Sequence, residues 1–213
     1  MKRKLVLLIS ILLIVGLVTI TFTACGNNAD SYDNADDPDN AEAAEIYVQD
    51  DAAPEYIIIS GEEFCVSLTE LHLRDRNLSD TDITSLRHMT NLERLDLRDN
   101  QISDISPLAY LTNLRRLNLR GNQIDDIEVL AGLPNLGRLN LRENQVSDIS
   151  PLADLTELWR LNLRDNEISD ISPLASLTNL ANLNLRQNLI RDTSPLAGLP
   201  YLDELDVRGN PLS

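Results

Sequence analysis

Asparagine recurs at 100, 122, 144, 166, 188 and 210, every 22 residues without a gap. With small variations, each is preceded by L-x-x-L-x-L-x-x and followed by x-I-x-D-I-x-P-L-A-x-L-T-N. A fixed period of this length means that one small structural unit is stacked along an axis. In 92-LERLDLRDNQISDISPLAYLTN-113, Leu95 and Leu97 alternate with Arg94, Asp96 and Arg98. That period of two predicts a short strand with leucine on one side and polar groups on the other. Leu92, Ile102, Ile105, Leu108 and Leu111 supply the rest of an apolar interior. A single coil cannot close a core, but stacked coils bury a continuous one, with their strands side by side in a parallel sheet. At about 4.8 Å per strand, seven coils make a solenoid roughly 35 Å long. The Asn column is expected to satisfy backbone groups where each coil turns after its strand. Pro107, Pro151, Pro173 and Pro195 are expected to fix a turn on the opposite wall and to stop a regular helix there. The small Ala109, Ala131, Ala153, Ala175 and Ala197 are expected to let that wall pack tightly.

The chain divides into four parts. Residues 1–24 begin with Lys2, Arg3 and Lys4 and continue in an apolar run from Leu5 to Phe22, the layout of a secretory signal. The stretch 22-FTAC-25 resembles a bacterial lipobox. That resemblance implies cleavage before Cys25 and a diacylglycerol on its sulfur. An uncleaved anchor and a secreted protein are the alternatives. Either way the positive end stays in the cytoplasm and the rest is exported; the lipobox resemblance implies a bacterial protein held by lipid on the outer face of the cell membrane. Residues 25–55 are rich in Asp, Asn, Ala and Glu without a basic residue, so they read as a disordered spacer. The run 33-DNADDPDN-40 lacks the Gly and Glu that a calcium loop of the EF-hand type requires. Residues 56–67 hold two β-rich stretches separated by Gly61 and read as an N-terminal cap, a pair of strands. Residues 68–213 are the repeats, about seven coils with the last one partial.

The repeats look like the 22-residue class of bacterial leucine-rich repeats found in internalins, and the resemblance runs from about Leu68 to Ser213. It implies a mostly β, α/β-type right-handed solenoid. A parallel sheet would line the concave face, with loops and 3-10 turns on the convex wall. Members of this family mostly bind proteins on the concave face and perform no chemistry with it. Internalins usually add an immunoglobulin-like domain, whereas this sequence runs out at 208-RGNPLS-213. Acids at Asp203, Glu204 and Asp206 would protect that edge in part. The first coil also departs from the pattern, with Arg76 where Asn is expected.

Numbered from its first leucine, each coil turns positions 3, 5 and 7 to the concave side. Position 3 reads Glu70, Arg94, Arg116, Arg138, Arg160, Asn182, Glu204, and position 5 reads His72, Asp96, Asn118, Asn140, Asn162, Asn184, Asp206. Position 7 is arginine in all seven coils: Arg74, Arg98, Arg120, Arg142, Arg164, Arg186 and Arg208. A chain with a net charge of −16 thus keeps a basic groove, with its acids in the spacer and on the flanks and rim. Such acidity argues against nonspecific binding to nucleic acid or anionic lipid. No lysine follows Lys4. Arginine is the cation that grips carboxylate or phosphate in two places. The candidates for partner binding are therefore Arg94, Arg98, Arg116, Asn118, Arg120, Arg138, Asn140, Arg142, Arg160, Asn162, Arg164 and Arg186, together with Trp159 at position 2 of its coil, since Trp is enriched at binding hot spots. The competing reading is a self-neutralised face copied from one ancestral coil, with Trp159 filling a packing gap. A protein partner is expected. An anionic wall polymer or glycan is the alternative, as is weak self-association through the last coil of an otherwise monomeric protein.

The residues predict no enzyme. His72 and His88 are the only histidines. Cys65 near His72 reads as a small hydrophobe in the cap rather than as a nucleophile. No metal cluster, phosphate loop or cofactor fingerprint stands in the sequence, so neither metal nor cofactor is expected.

Overall fold

Each alternating segment forms a three-residue strand, and the seven strands pair in parallel and in chain order. They are β3 (Glu70–His72), β4 (Arg94–Asp96), β5 (Arg116–Asn118), β6 (Arg138–Asn140), β7 (Arg160–Asn162), β8 (Asn182–Asn184) and β9 (Glu204–Asp206). The computed structural model describes residues 54–213. The leader, Cys25 and almost all of the acidic spacer lie outside the described residues. The register is strict, with Leu71, Leu95, Leu117, Leu139, Leu161, Leu183 and Leu205 lying side by side. A one-residue slip would turn the leucines outward and the arginines into the core, so the alternation itself locks the register. One continuous aliphatic core runs through the coils. This is the architecture of a leucine-rich repeat solenoid.

The wall opposite the sheet is built from short 3-10 turns such as Ser106–Tyr110, Ser150–Leu152 and Ser172–Ser176. Proline opens four of them, where its missing N–H is not needed. An aspartate two residues before each of these serines starts the turn. Asp148 Oδ1 accepts the Ser150 N–H at 2.8 Å and Oδ2 accepts the Ser150 hydroxyl at 3.0 Å. Asp104, Asp170 and Asp192 repeat the arrangement. These bonds hold the Asp148, Asp170 and Asp192 carboxyls below the usual range. The acidic column is turn-forming machinery. The expected tight packing of the alanines is not observed. Ala109, Ala131, Ala175 and Ala197 are exposed, and the buried side chain of each turn is the leucine before the alanine. With three residues per 3-10 turn, neighbouring positions cannot both face inward.

The Asn column forms a ladder between coils. Asn122 Oδ1 accepts the Ile102 N–H at 3.1 Å, and Nδ2 donates to Leu97 and Leu119 carbonyls at 3.1 and 2.9 Å. Asn100, Asn144, Asn166, Asn188 and Asn210 do the same. One place before each Asn, the backbone is left-handed at Asp99, Gly121, Glu143, Asp165, Gln187 and Gly209. This is where the chain leaves the sheet.

A hairpin of β1 (Tyr56–Ile59) and β2 (Glu62–Cys65) covers the first coil. Its two-residue turn, Ser60–Gly61, has positive φ at both positions, as a tight hairpin of this twist needs. Ile57 and Ile59 enter the core. Arg76, the departure from the Asn column, donates to Glu62 of the hairpin at 2.7 Å. At the other end Leu205 is 43 % exposed, whereas its neighbour Leu183 is 2 % exposed. No described residue covers the last coil as the hairpin covers the first.

Candidate binding face

The three arginine and amide columns stand on the outer face of the sheet because the pleat sends positions 3, 5 and 7 away from the leucines. They are not equivalent. Most of position 7 is neutralised by acids on the rim or at position 5. Glu143 accepts from Arg120 at 3.0 Å and from Arg142 at 2.7 Å. Asp165 lies 2.9 Å from Arg164 and 3.8 Å from Arg142. Arg98 lies 3.6 Å from Asp96, and Arg208 2.7 Å from Asp206. The Glu143 bond raises the Arg120 pKa, and the two arginines hold Glu143 below the usual carboxylate range despite partial burial. Arg186 meets no carboxylate within ion-pair distance among the described residues. Glu143 and Asp165 sit at position 8, on the rim where acids were expected; that this position is left-handed is what sequence reasoning missed. The available signal was Gly121 and Gly209 in the same column.

Position 5 is half structural. The Oδ1 atoms of Asn118, Asn140 and Asn162 accept the backbone N–H of Arg120, Arg142 and Arg164 at 3.3, 3.1 and 3.1 Å. That fixes each amide's orientation, because an N–H needs an oxygen opposite it. The Nδ2 groups are left pointing away from the backbone they cap.

Position 3 carries the unneutralised charge. Arg94 is held by Glu70 at 2.7 Å, which with His72 keeps the Glu70 carboxyl low. Arg116, Arg138 and Arg160 stand directly side by side on β5, β6 and β7 with no carboxylate in reach among the described residues. Arg138 is half-buried, and its Nε is buried without a hydrogen-bond partner. Lost hydration and the charges of Arg116 and Arg160 lower its pKa.

Trp159 fills a packing position and also stays at the surface. Its indole lies over Gly137, where an added Cβ would meet Nε1 at 3.1 Å. The same ring carries the Arg138 guanidinium 4.1 Å from its centroid, yet remains 36 % exposed. The structure therefore brings Arg116, Arg138, Arg160, Asn118, Asn140, Asn162 and Trp159 onto one central patch. It sets Arg98, Arg120, Arg142 and Arg164 on a compensated rim. An open groove of about 390 Å³ runs over the patch from Glu70 to Asn162.

His72 is occupied by Glu70 at 3.1 Å. Cys65 is half-buried at the end of β2, and the described residues contain no free cysteine, so reading it as a free thiol is set aside. Among the described residues no group of His, Cys, Asp or Glu is placed to hold a metal ion. Nor is any helix there long and apolar enough to cross a membrane.

A stacked-coil solenoid with a polar, open sheet face is a binding scaffold of the leucine-rich repeat class. Models of leucine-rich repeats match residues 66–124, 112–154 and 156–198. The crystal structure of internalin C2 from Listeria monocytogenes is 34 % identical, with a TM-score of 0.56, covering 72 % of this chain and 78 % of that one. Internalin InlF from the same species is also 34 % identical, with a TM-score of 0.59, over 72 % of this chain. This chain spans 52 % of that structure. A plant peptide hormone receptor, RGFR1, solved in complex with RGF2, shares the fold at 24 % identity and a TM-score of 0.61, over 70 % of this chain and 26 % of its own. Among curated protein sequences none matches. The chain belongs to the leucine-rich repeat family and is internalin-like. Proteins of this family are generally binding modules rather than enzymes, and they commonly bind proteins.

Proposed function

We propose that this chain is an extracytoplasmic bacterial binding protein, anchored through lipid on Cys25, that recognises a protein partner on the concave face. The observation that carries the reading is the central patch. Three arginines without carboxylate partners among the described residues, a row of oriented amides and an exposed tryptophan lie together on the sheet. Buried aromatic and arginine anchors dominate protein interfaces. The scaffold supplies them without loop ordering, so little entropy is lost on binding. The acidic spacer, about 30 residues, would hold the domain on the order of 30 Å from the membrane. No catalytic role is assigned to any residue.

The test is binding of the full-length protein to isolated bacterial envelopes and to cultured host cells. The native chain is compared with Asn140→Trp, which blocks the patch, and with Ser172→Lys on the opposite wall. Loss with the first and retention with the second supports the reading. Equal binding by all three removes the concave face from the mechanism. The anchor has its own test, the mass of the Cys25 peptide from the membrane fraction. A diacylglyceryl thioether supports it, and a disulfide on that sulfur excludes it.

The exposed Leu205 at the last coil favours one second reading, self-association through that end. Light scattering over a concentration series decides it, since a constant monomer mass excludes the assembly.

A further inference from the structure

The central patch consists of hydrogen-bond donors. The Oδ1 atoms of Asn118, Asn140 and Asn162 each accept the backbone N–H two residues on, which leaves the NH2 group of each amide free to donate into the groove. Arginine has no acceptor, and Arg116, Arg138 and Arg160 have no carboxylate on them among the described residues. A surface made of donors selects acceptors, and one with three adjacent fixed cations selects anionic acceptors.

The two ends of the groove lack the unpaired positive charge of the centre. Toward the first coil stand Glu70 and Asp96, and toward the last stand Glu204 and Asp206. Asn182 and Asn184 separate the second pair from the arginines. Glu70, Asp96 and Asp206 are paired with Arg94, Arg98 and Arg208, so unpaired positive charge at position 3 is confined to three neighbouring coils, with Glu204 beyond them at the last coil. A long polymer with an anion on every unit would gain only at the centre. A polypeptide can match the pattern, because its charge varies along the chain.

Resting on the proposed concave-face function, we infer that the partner is a protein presenting a short acidic cluster, with neutral or basic residues on either side, to Arg116, Arg138 and Arg160. Three neighbouring strands span about 10 Å, which is about three residues of extended chain. The cluster is thus two or three carboxylates within three or four successive residues. They bind the guanidinium forks in pairs, while the Asn118, Asn140 and Asn162 amides donate to the segment's carbonyls. Trp159 holds Arg138 in place and gives an apolar edge to the site.

The test uses the full-length protein in detergent and three labelled synthetic peptides. One has three central aspartates flanked by lysines, one has the inverse pattern, and one is polyglutamate of equal length. Fluorescence polarisation gives Kd, and Trp159 emission reports occupancy. The patterned peptide is expected to bind at least about tenfold tighter than polyglutamate. Arg138→Ser is expected to weaken it about tenfold. Arg138→Lys should fall between, keeping charge without the fork. Arg142→Ser, on the compensated rim, should change Kd less than about twofold. Polyglutamate binding as tightly as the patterned peptide overturns the inference. So does equal loss with Arg142→Ser and Arg138→Ser, or no binding of any peptide at millimolar concentration. The cell and envelope assay separates this failure from failure of the parent reading. If binding there is lost with Asn140→Trp but kept when Arg116, Arg138 and Arg160 are all serine, the concave face binds and the acidic cluster is wrong. If no concave substitution alters it, the parent reading itself fails.

Discussion

At the scale of single residues, asparagine has two different uses in one coil. Asn122 is buried and answers three backbone groups on two coils, while Asn118, four residues earlier, caps one N–H at the surface. Asn122→Ala leaves buried amide and carbonyl groups without partners and should destabilise by about 3 kcal/mol, whereas Asn118→Ala should cost about 1 kcal/mol. Urea unfolding of the two variants checks the difference. The first column was legible because a 22-residue period of Asn has few other causes. The second was not, since its hydrogen bond depends on how the strand ends. A third residue makes a pH prediction. Arg208 brings the Asp206 carboxyl down to about 2. A depressed folded pKa means that the pair contributes above the unfolded value near 3.9 and is lost as pH falls through about 2. Carboxyl chemical shifts should give an Asp206 midpoint near 2, moving upward in Arg208→Ala. An unchanged midpoint would show that the pair is not formed in solution.

At the scale of the element, the coil is defined by where its strand stops. Every turn out of the sheet uses a left-handed residue, and Gly121 does so at φ 66°. A Cβ there would also meet Asp99 Oδ1 at 2.5 Å. Gly121→Ala should therefore destabilise by about 1–2 kcal/mol, read from the urea midpoint. The alternation of leucine and charge made the strands readable, and proline made the opposite turns readable. Which side of a 3-10 turn the alanines take was not readable, because leucine and alanine are both apolar and packing alone separates them. The hairpin shows which force holds an element. Ile59 is 1 % exposed, so Ile59→Ala should cost about 3 kcal/mol. Arg76→Ala breaks an exposed ion pair and should cost much less. Comparable losses in the two variants would mean that Arg76 specifies how the hairpin docks.

At the scale of the whole molecule, the groove keeps charges that folding alone would discard. Arg116, Arg138 and Arg160 are brought side by side by the sheet register. Identical charges directly opposite on neighbouring strands repel, and the nearby acids are committed to Arg94 and to the rim. The columns themselves were legible from the repeat. The division into a compensated rim and an uncompensated centre was not, because it depends on which long side chains reach which acids across coils. That division predicts a conflict between stability and binding. Arg116→Gln combined with Arg160→Gln removes both repulsive contacts while leaving Arg138 stacked on Trp159. The double variant should have a higher urea midpoint than the native chain at low salt. The gain should shrink as salt rises toward about 1 M, where screening extends over only about 3 Å. The same variant should bind the patterned acidic peptide more weakly at every salt concentration. If the variant is instead less stable at low salt, the three arginines already have counter-charges in solution, and the centre of the groove is no more available to a partner than its rim.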